Sequence, residues 1–535
     1  MNRPKFYVYL PIIFALILIL GIFIGTTFQL NSTIGTISID SKNKYNKIEE
    51  ILRYIQQEYV DTVNQQQLVE KTIVSMLQNL DPHSSYITAD ELQANNEPLM
   101  GNFEGIGIEF NIVEDTICVV AAIPGGPAES VGVLAGDKIV KVEGKKVAGI
   151  KITNKDVLDK LKGKGRTKVK VSILRRGKTQ LLDFTITRGT IPIFSIDVSY
   201  MVNNKTGYIK ISRFAATTYT EYIKAFDKLK KQGMQQLIID LRGNGGGYLN
   251  TAVDIADEFL SSGKEIVYTQ GKTRPRKGYK ATGKGDFENG ELILLIDDGS
   301  ASASEILAGA IQDNDRGTIV GRRSFGKGLV QEQSEFSDGS AMRLTIARYY
   351  TPTGRCIQKP YTEGVEAYYQ EEYKRFENGE LENADSMKIA DSLKFITPGG
   401  KIVYGGGAIT PDIFVSLDTV GRSRYLTEVI FGGLVNDFAF GYADRERGKL
   451  STFKRFQDFN RTFSITDDVF NEFVAYSKKN KVIGDAKQIE ASKEIIKTQL
   501  KALIARNIWN NEGYYPVIHS RDNILKKAIE LLIDK

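Results

Sequence analysis

The stretch Asp298–Asp313 reads DGSASASEILAGAIQD, and it decides how the middle of the chain folds. Serines alternate with small residues at its start, and apolar residues at helical spacing follow. An apolar run of strand length, ELILLID at Glu291–Asp297, comes immediately before it. The pattern predicts a strand, a tight turn and a helix that presents a hydroxyl at its N-terminus, where free N–H groups and the helix dipole favour negative charge. A serine that only caps the helix would give the same pattern, so a second signal is needed.

The second signal is SFGKGLVQ at Ser324–Gln331, in which Lys327 lies between two glycines. Together the two stretches suggest a serine nucleophile, Ser302, with Lys327 as its base. To accept a proton the lysine must be neutral, so its pKa must fall from ~10.4 towards ~7–8, which requires a desolvated pocket without a carboxylate partner. No acidic residue lies within three positions of Lys327 in the sequence, and Gln331 can orient the amine without charging it.

Glycines at the end of a predicted parallel strand offer bare backbone to the same site. The segment GNGGG at Gly243–Gly247 follows the apolar strand LIIDL, at the strand end where ligand crevices form in α/β sheets. We predict that Gly246, Gly247 and Ala303 form the oxyanion hole through their backbone N–H groups.

Composition excludes several other chemistries. The chain has 535 residues with 71 basic and 65 acidic side chains, a net charge of +6, and no basic-aromatic cluster of the kind that binds nucleic acid. His83 and His519 are its two histidines, too few for a clustered zinc site, and we interpret His83, which follows a proline in a turn, as structural. Cys118 and Cys356 are far apart in sequence and do not suggest a disulfide framework. We therefore expect no metal and no cofactor.

The N-terminus carries an apolar segment, Tyr7–Gly25, which is long enough to span a bilayer. It follows Arg3 and Lys5, and no A-x-A cleavage site comes after it. We predict an uncleaved signal anchor with the bulk of the chain exported, and a cleaved signal peptide is the alternative.

The spacing of apolar residues divides the rest of the chain into regions. Two amphipathic helices precede LDPHSSYI at Leu80–Ile87, and these are predicted to form one N-terminal unit. Short β-type runs then contain GIGIEF at Gly105–Phe110 and a helix-turn-strand pattern typical of PDZ domains, with a ligand-free β-barrel as the alternative. In that interpretation the backbone of Gly105, Ile106, Gly107 and Ile108 binds a peptide carboxylate.

From Thr206 onward strands and helices alternate, which predicts a parallel-rich sheet with helices packed over it. The charged, tyrosine-rich segment within residues 360–400 is predicted to be an exposed helical insertion. The residues after 420 are predicted to be mostly helical.

Five motifs in this order resemble those of the C-terminal processing (tail-specific) peptidases: LDPHSSYI, DLRGNGGG, GSASASEILAGAIQD, SFGKGLVQ and TPTGRCIQ. The resemblance implies that Ser302 is the nucleophile, Lys327 the general base and Gln331 its support. It also implies an α/β multidomain protein with a crotonase/Clp-like peptidase core and an inserted PDZ domain. The expected domains are a signal anchor (1–30), an N-terminal helical region (42–100), a PDZ domain (101–190), a peptidase core (191–420) and a helical C-terminal extension (421–535).

The expected function is that of a serine endopeptidase that cleaves exported proteins near their C-termini, anchored on the periplasmic side of a bacterial inner membrane. Its expected partners are protein substrates with free C-termini and the membrane. A homo-oligomer is left open, and nucleic acid is not expected. Two alternatives stand beside it. A non-catalytic PDZ scaffold would tolerate loss of the dyad, and GRRSFGKG at Gly321–Gly328 is close to a Walker A loop but has Gly328 where the magnesium-binding hydroxyl belongs.

Overall fold

The chain forms two compact units, residues 1–76 and residues 77–535. The computed structural model describes residues 15–20, 47–387 and 390–533.

The described part of the first unit is mostly helical. Residues 15–20 are helical, and they are the only described part of the predicted signal anchor Tyr7–Gly25; the remainder of that segment lies outside the described residues. Both predicted amphipathic helices are present, at Lys47–Glu58 and Gln65–Gln78, the second ending in the other unit. In the described part of the chain, no helix combines the length and apolarity that a membrane span requires.

A six-stranded central sheet organises the second unit. Its strands lie in the order Ile196–Met201, Thr206–Ile211, Gln236–Asp240, Glu291–Ile296, Thr318–Gly321 and Ile413–Phe414. The first strand is antiparallel to its neighbour and the other pairings are parallel, which confirms the predicted parallel-rich α/β core.

Helices cover both faces of this sheet. One face packs on the helices Thr218–Lys231, Leu249–Asp257 and Ala303–Asp313, and the other on Asn523–Ile533. Because side chains alternate along a strand, Leu237 and Ile239 face the first layer and Ile238 faces the second. The final helix of the predicted C-terminal extension therefore completes the core.

A second, antiparallel sheet carries the strand that follows Lys327. Its strands are Ser85–Ile87, Ala341–Tyr350, Glu265–Gln270, Lys277–Lys280 and, paired with Ala341–Tyr350, Leu329–Glu335. LDPHSSYI was expected in the N-terminal unit, but this sheet includes its last residues. The reason is two hydrogen bonds to a distant strand residue: Asp81 accepts from the Thr345 hydroxyl, and the Ser84 hydroxyl accepts from the Thr345 N–H, both at 3.1 Å. The helix Ala89–Met100 follows, within the predicted helical region 42–100.

Residues 102–192 include a separate sheet with its own apolar core. Its strands are Ile108–Val113, Thr116–Ala122, Lys138–Val142, Lys145–Lys146, Lys168–Leu174 and Leu182–Thr187, and its helices are Pro127–Ser130 and Asn154–Leu161. The strands Asn102–Gly105 and Gly189–Pro192 pair with each other and connect this region to the rest of the unit. The predicted helix-turn-strand pattern is present.

The segment predicted as an exposed insertion is less exposed than expected. It contains the helix Val365–Glu377, two 3₁₀ turns at Ala384–Ser386 and Asp391–Leu393, and paired strands at Lys394–Ile396 and Ile402–Tyr404. Two side chains of the helix, Tyr368 and Arg375, are buried, because they contact the loop that carries Lys327.

The C-terminal region is helical, as predicted, and has a second large apolar core. Its helices are Arg424–Phe431, Leu434–Arg445, Arg447–Leu450, Phe456–Thr462, Asp467–Lys479, Ala486–Ile518, the 3₁₀ turn His519–Arg521 and Asn523–Ile533. The longest helix is kinked where Trp509 and Asn510 leave helical geometry.

Candidate active site

Ser302 stands at the turn between the strand Glu291–Ile296 and the helix Ala303–Asp313, as the sequence predicts. Its backbone has φ 56° and ψ −112°, a conformation that costs an L residue about 1–3 kcal/mol. The helix is buried along its whole length, whereas Ser302 remains partly accessible. A strained strand-to-helix turn of this kind exposes a nucleophilic serine above a sheet.

The neighbouring serines have structural hydrogen bonds instead. The Ser300 hydroxyl donates to the carbonyl of Leu241 at 2.8 Å, and the Ser304 hydroxyl donates to the carbonyl of Asn244 at 2.8 Å. Both residues are fully buried. Ser302 is therefore the serine of the motif that remains accessible for chemistry.

Lys327 lies beside Gln331, which faces it from the following strand. The Lys327 amine donates to Gln331 Oε1 at 3.1 Å, and Gln331 Nε2 in turn donates to the carbonyl of His83, so the amide orientation is fixed. Burial lowers the pKa of Lys327, while the nearby carboxylates of Glu305 and Asp81 oppose that shift. The surroundings therefore favour the neutral amine that a general base requires.

The buried carboxylate of Glu305 connects the turn at Ser302 to the loop that carries Lys327. It accepts hydrogen bonds from the N–H groups of Ser302 at 2.7 Å, Gly326 at 2.7 Å and Lys327 at 2.9 Å, and from the Ser324 hydroxyl at 2.5 Å. The expectation of an acid-free environment for Lys327 is thus wrong in part. Glu305 is near in space, but it binds the main chain of Lys327, and in the described part of the chain no carboxylate forms an ion pair with the amine.

Tyr349 makes a second connection between Ser302 and Lys327, through their backbone carbonyls. Its buried hydroxyl lies 3.0 Å from the carbonyl oxygen of Ser302 and 2.5 Å from that of Lys327. Glu305 and Tyr349 together fix the backbones of Ser302 and Lys327 relative to each other. Sequence reasoning missed both roles; the position of Glu305 three residues after Ser302, typical of a capping box, is the signal that was present.

Substituting Tyr349 by phenylalanine is expected to lower kcat by about ten-fold, because the link between the two backbones is lost and Ser302 and Lys327 are less well aligned. The Lys327 carbonyl loses its hydrogen-bond donor, whereas the Ser302 carbonyl still accepts from the N–H groups of Glu305 and Ile306. Tyr350→Phe is the matched control, since the Tyr350 ring stacks on Tyr268 and its hydroxyl has no hydrogen bond to any described residue. Steady-state kinetics with one peptide substrate compare the two variants. Equal kcat values would show that the Tyr349 hydroxyl does not align the site.

Ser302, Lys327 and Gln331 line one cleft of about 640 Å³ together with Gly246 and Gly247. Gly246 has φ +101°, and a Cβ there would lie 2.8 Å from Ser302 Cβ, so only glycine allows this approach. The Gly246 N–H donates to Asn244 Oδ1 at 2.9 Å, which leaves it unavailable to an oxyanion in this conformation.

The other two predicted donors remain free. The N–H groups of Gly247 and Ala303 have no acceptor among the described residues. Ala303 begins the helix, where backbone N–H groups lack partners within the helix. The predicted oxyanion hole is thereby reduced to Gly247 and Ala303.

His83 supports the lysine side of the site from the LDPHSSYI turn. Its ring nitrogen Nε2 lies 2.8 Å from the Tyr368 hydroxyl, and its carbonyl holds Gln331. Burial, followed by the positive charge of Lys327, lowers the pKa of His83 to about 4, so the imidazole is neutral at neutral pH. The structural interpretation of His83 agrees with these contacts, although its position next to the site was not predicted.

The insertion helix Val365–Glu377 also reaches this loop. Arg375 donates to the carbonyl of Ser324 at 2.7 Å and to that of Phe325 at 3.3 Å, and Glu371 accepts from Arg375 at 2.6 Å. These bonds explain why a tyrosine-rich, charged helix is partly buried. Periodicity cannot reveal contacts between segments so far apart in sequence.

The predicted carboxylate loop of the PDZ-like region has two free donors. Gly105 and Ile108 lie at the ends of paired strands, and the carbonyls of Ile106 and Gly107 accept main-chain hydrogen bonds. The N–H groups of Ile106 and Gly107 have no acceptor within the described chain. Gly107 has φ +78°, which turns the loop at this point.

The described residues contain no cluster of His, Cys, Asp and Glu arranged to hold a metal ion. Cys118 and Cys356 are both free thiols.

Comparison with known proteins shows to which protein family the chain belongs. Residues 205–368 match Peptidase family S41, and residues 118–175 match a PDZ domain. A carboxy-terminal-processing protease of Bartonella bacilliformis is 37% identical over 332 residues, which cover 60% of this chain and 75% of that protein. This chain belongs to the carboxy-terminal processing proteases of Peptidase family S41. It is therefore a serine-type peptidase with a PDZ domain, and the predicted resemblance is confirmed.

Two further carboxy-terminal processing proteases, CtpA and CtpB of Bacillus subtilis, are each 35% identical to the chain. The CtpA match covers 59% of this chain and 67% of that protein, and the CtpB match covers 64% and 71%. Residues 28–91 match the N-terminal domain of the activating protease CtpB, and residues 425–510 match a family of unknown function. The second of these matches covers most of the helical C-terminal region of this S41 protease.

Proposed function

We propose that the chain is a serine endopeptidase in which Ser302 is the nucleophile, Lys327 the general base and Gln331 the residue that positions the lysine. One observation carries the proposal. The Glu305 carboxylate and the Tyr349 hydroxyl each bind the backbones of both Ser302 and Lys327, at the edge of a cleft large enough for an extended peptide.

In the proposed reaction, neutral Lys327 removes the proton from the Ser302 hydroxyl as Oγ attacks the scissile carbonyl carbon. The tetrahedral intermediate collapses, the C–N bond breaks, and the leaving amine takes the proton from the lysine. Water then attacks the acyl-enzyme, with Lys327 again accepting a proton and returning it to Ser302. Each cycle consumes one water and restores both side chains.

We assign to the N–H groups of Gly247 and Ala303 the stabilisation of the negative charge on each tetrahedral intermediate. Both N–H groups have no other acceptor among the described residues, and that of Ala303 lies at the positive end of the buried helix Ala303–Asp313. Donors fixed in advance in this way stabilise a developing oxyanion without reorganisation.

Recognition of a free C-terminus is assigned to the PDZ domain. The N–H groups of Ile106 and Gly107, which have no acceptor in the described part of the chain, lie next to the edge strand Ile108–Val113, to which an extended peptide can add. The enzyme would in this way receive unfolded or C-terminally tagged exported proteins, and the free carboxylate would be part of the signal.

The full-length chain, assayed in EDTA without nucleotide, is expected to cleave a peptide with a free C-terminal carboxylate faster than its amidated counterpart. The chelator should not slow either reaction, because the proposed base is a lysine. Fragments identified by mass spectrometry give the rates. Equal rates for acid and amide would remove the PDZ assignment, and binding of the acid without cleavage of either peptide would favour a non-catalytic PDZ scaffold.

A membrane anchor and export are proposed from the sequence of Tyr7–Gly25, which is apolar and follows two basic residues. The catalytic part would then lie on the periplasmic side of a bacterial inner membrane. In a bacterial host the protein is expected to sediment with membranes and to be degraded by protease added to spheroplasts. A soluble protein whose mature N-terminus lies beyond Gly25 would contradict this proposal.

A further inference from the structure

The catalytic cleft contains a guanidinium group whose hydrogen-bond partners are all neutral. Arg343 lines the same cleft as Ser302 and Lys327 and is half-buried. Its Nε donates to Gln333 Oε1 at 3.0 Å, and its Nη2 donates to Asn96 Oδ1 at 2.9 Å. No carboxylate of the described residues forms an ion pair with it.

The sheet places this group close to the reacting atoms. In the pairing of Leu329–Glu335 with Ala341–Tyr350, Gln331 lies opposite Thr345 and Gln333 lies opposite Arg343. Side chains two residues apart on a strand share a face and are about 7 Å apart. Arg343 therefore lies one such step along the sheet from Gln331, which holds the Lys327 amine.

An extended peptide advances by about 3.3 Å per residue. A residue bound about two positions from the scissile bond would thus be level with Arg343. The guanidinium has five N–H donors, and the two neutral amides occupy two of them, so the planar fork is oriented but its charge is not neutralised. A carboxylate is the partner that such a group binds most strongly, often through two parallel hydrogen bonds.

We propose that Arg343 binds a carboxylate of the bound peptide about two residues from the scissile bond, and so selects substrates with an acidic group there. This inference rests on the proposed function. Two sources supply the group: an Asp or Glu side chain, or the terminal carboxylate of a substrate cleaved about two residues from its end.

Glu335 is the acidic side chain that lines the same cleft on the neighbouring strand. It lies opposite Ala341, is solvent-exposed, and accepts from Gln333 Nε2 at 3.4 Å. Its bond is with the amide rather than with Arg343, so the guanidinium remains available to the substrate.

The test uses the full-length chain and acetylated, amidated peptides that carry either Glu or Gln at one position within three residues of the cleavage site. At one position the wild type is expected to cleave the Glu peptide about ten-fold more efficiently, in kcat/KM, than the Gln peptide. The ratio should fall to about one in Arg343→Gln and persist in part in Arg343→Lys. Arg348→Gln is the matched control, since Arg348 is exposed on the same strand and should keep the wild-type ratio.

The ratio is the appropriate readout because the substitution also changes the base. Burial lowers the pKa of Lys327, and the charge of Arg343 adds to that effect. Loss of this charge raises the pKa of Lys327 and so slows the cleavage of every peptide alike. This effect therefore cancels in the ratio of kcat/KM between the Glu and Gln peptides. A second pair of peptides, ending two residues after the cleavage site as acid or amide, distinguishes the terminal carboxylate from a side chain.

The same peptides are also titrated against Ser302→Ala, with and without Arg343→Gln, by fluorescence anisotropy. A binding preference for the Glu or terminal-acid peptide that disappears with Arg343→Gln supports the proposal even where no cleavage occurs. Failure of the Arg343 proposal can therefore be distinguished from failure of the peptidase assignment. A preference unchanged by Arg343→Gln, or no acidic preference at any position in either peptide series, would overturn it.

Discussion

Ser302→Ala is expected to reduce kcat by up to about a million-fold, because no acyl-enzyme can form without the proposed nucleophile. The fold should be retained, since alanine and serine meet similar strain at φ 56° and the Glu305 bond to the backbone N–H of residue 302 remains. The measurement is the rate of peptide cleavage, with circular dichroism to verify the fold.

The neighbouring serines provide matched controls. Ser304→Ala removes one buried hydrogen bond to a main-chain carbonyl, at a cost of about 0.5–1.5 kcal/mol in the free energy of unfolding. Ser300→Ala also removes the bond that its hydroxyl accepts from the Asp297 N–H at 3.0 Å, so its cost is expected to be larger. Both variants should keep measurable activity. A folded Ser300→Ala or Ser304→Ala protein as inactive as Ser302→Ala, or substantial activity in Ser302→Ala, would move the nucleophile elsewhere.

Lys327→Met and Lys327→Arg are both expected to lower kcat by about 10²–10⁴-fold, the usual effect of losing a general base. Methionine keeps the length of the side chain without a basic group. Arginine keeps the charge but stays protonated at every usable pH, so it cannot accept the serine proton. Activity in Lys327→Arg near the wild-type level would show that another group takes the proton.

The pH profile follows from the same residue. Burial lowers the pKa of Lys327 below its usual ~10.4, against the opposing charges of Glu305 and Asp81. In the proposed mechanism the active form has the neutral amine, so kcat/KM should rise as pH rises through the lowered pKa and then level off. In Lys327→Met this rise should be absent.

Much of the site could be predicted from the sequence, because its reactive residues lie in two short motifs next to regular elements. The alternating serines before a helical pattern indicate the turn at Ser302, and the glycines around Lys327 indicate a loop that leads into a strand. The fold class followed from the alternation of strands and helices after Thr206.

The parts that could not be predicted depend on contacts between distant segments. Glu305 looks like an ordinary helix-capping acid until the loop of Ser324 and Lys327 is folded over it. The strand position of Tyr349 does not reveal to which carbonyls its hydroxyl donates. The charge of Arg375 suggests an exposed side chain, although Arg375 is bonded to the loop that carries Lys327. Gly246 was expected to offer its N–H group, but the Asn244 side chain takes it.

The most direct test of the Ser302–Lys327 assignment is labelling with a fluorophosphonate probe followed by peptide mass spectrometry. In the wild type, the adduct is predicted on Ser302 and not on Ser300 or Ser304, at a rate that increases with pH. In folded Lys327→Met the same serine should be labelled at least about 100-fold more slowly. An adduct on another serine, or equal labelling rates in wild type and Lys327→Met, would contradict the assignment.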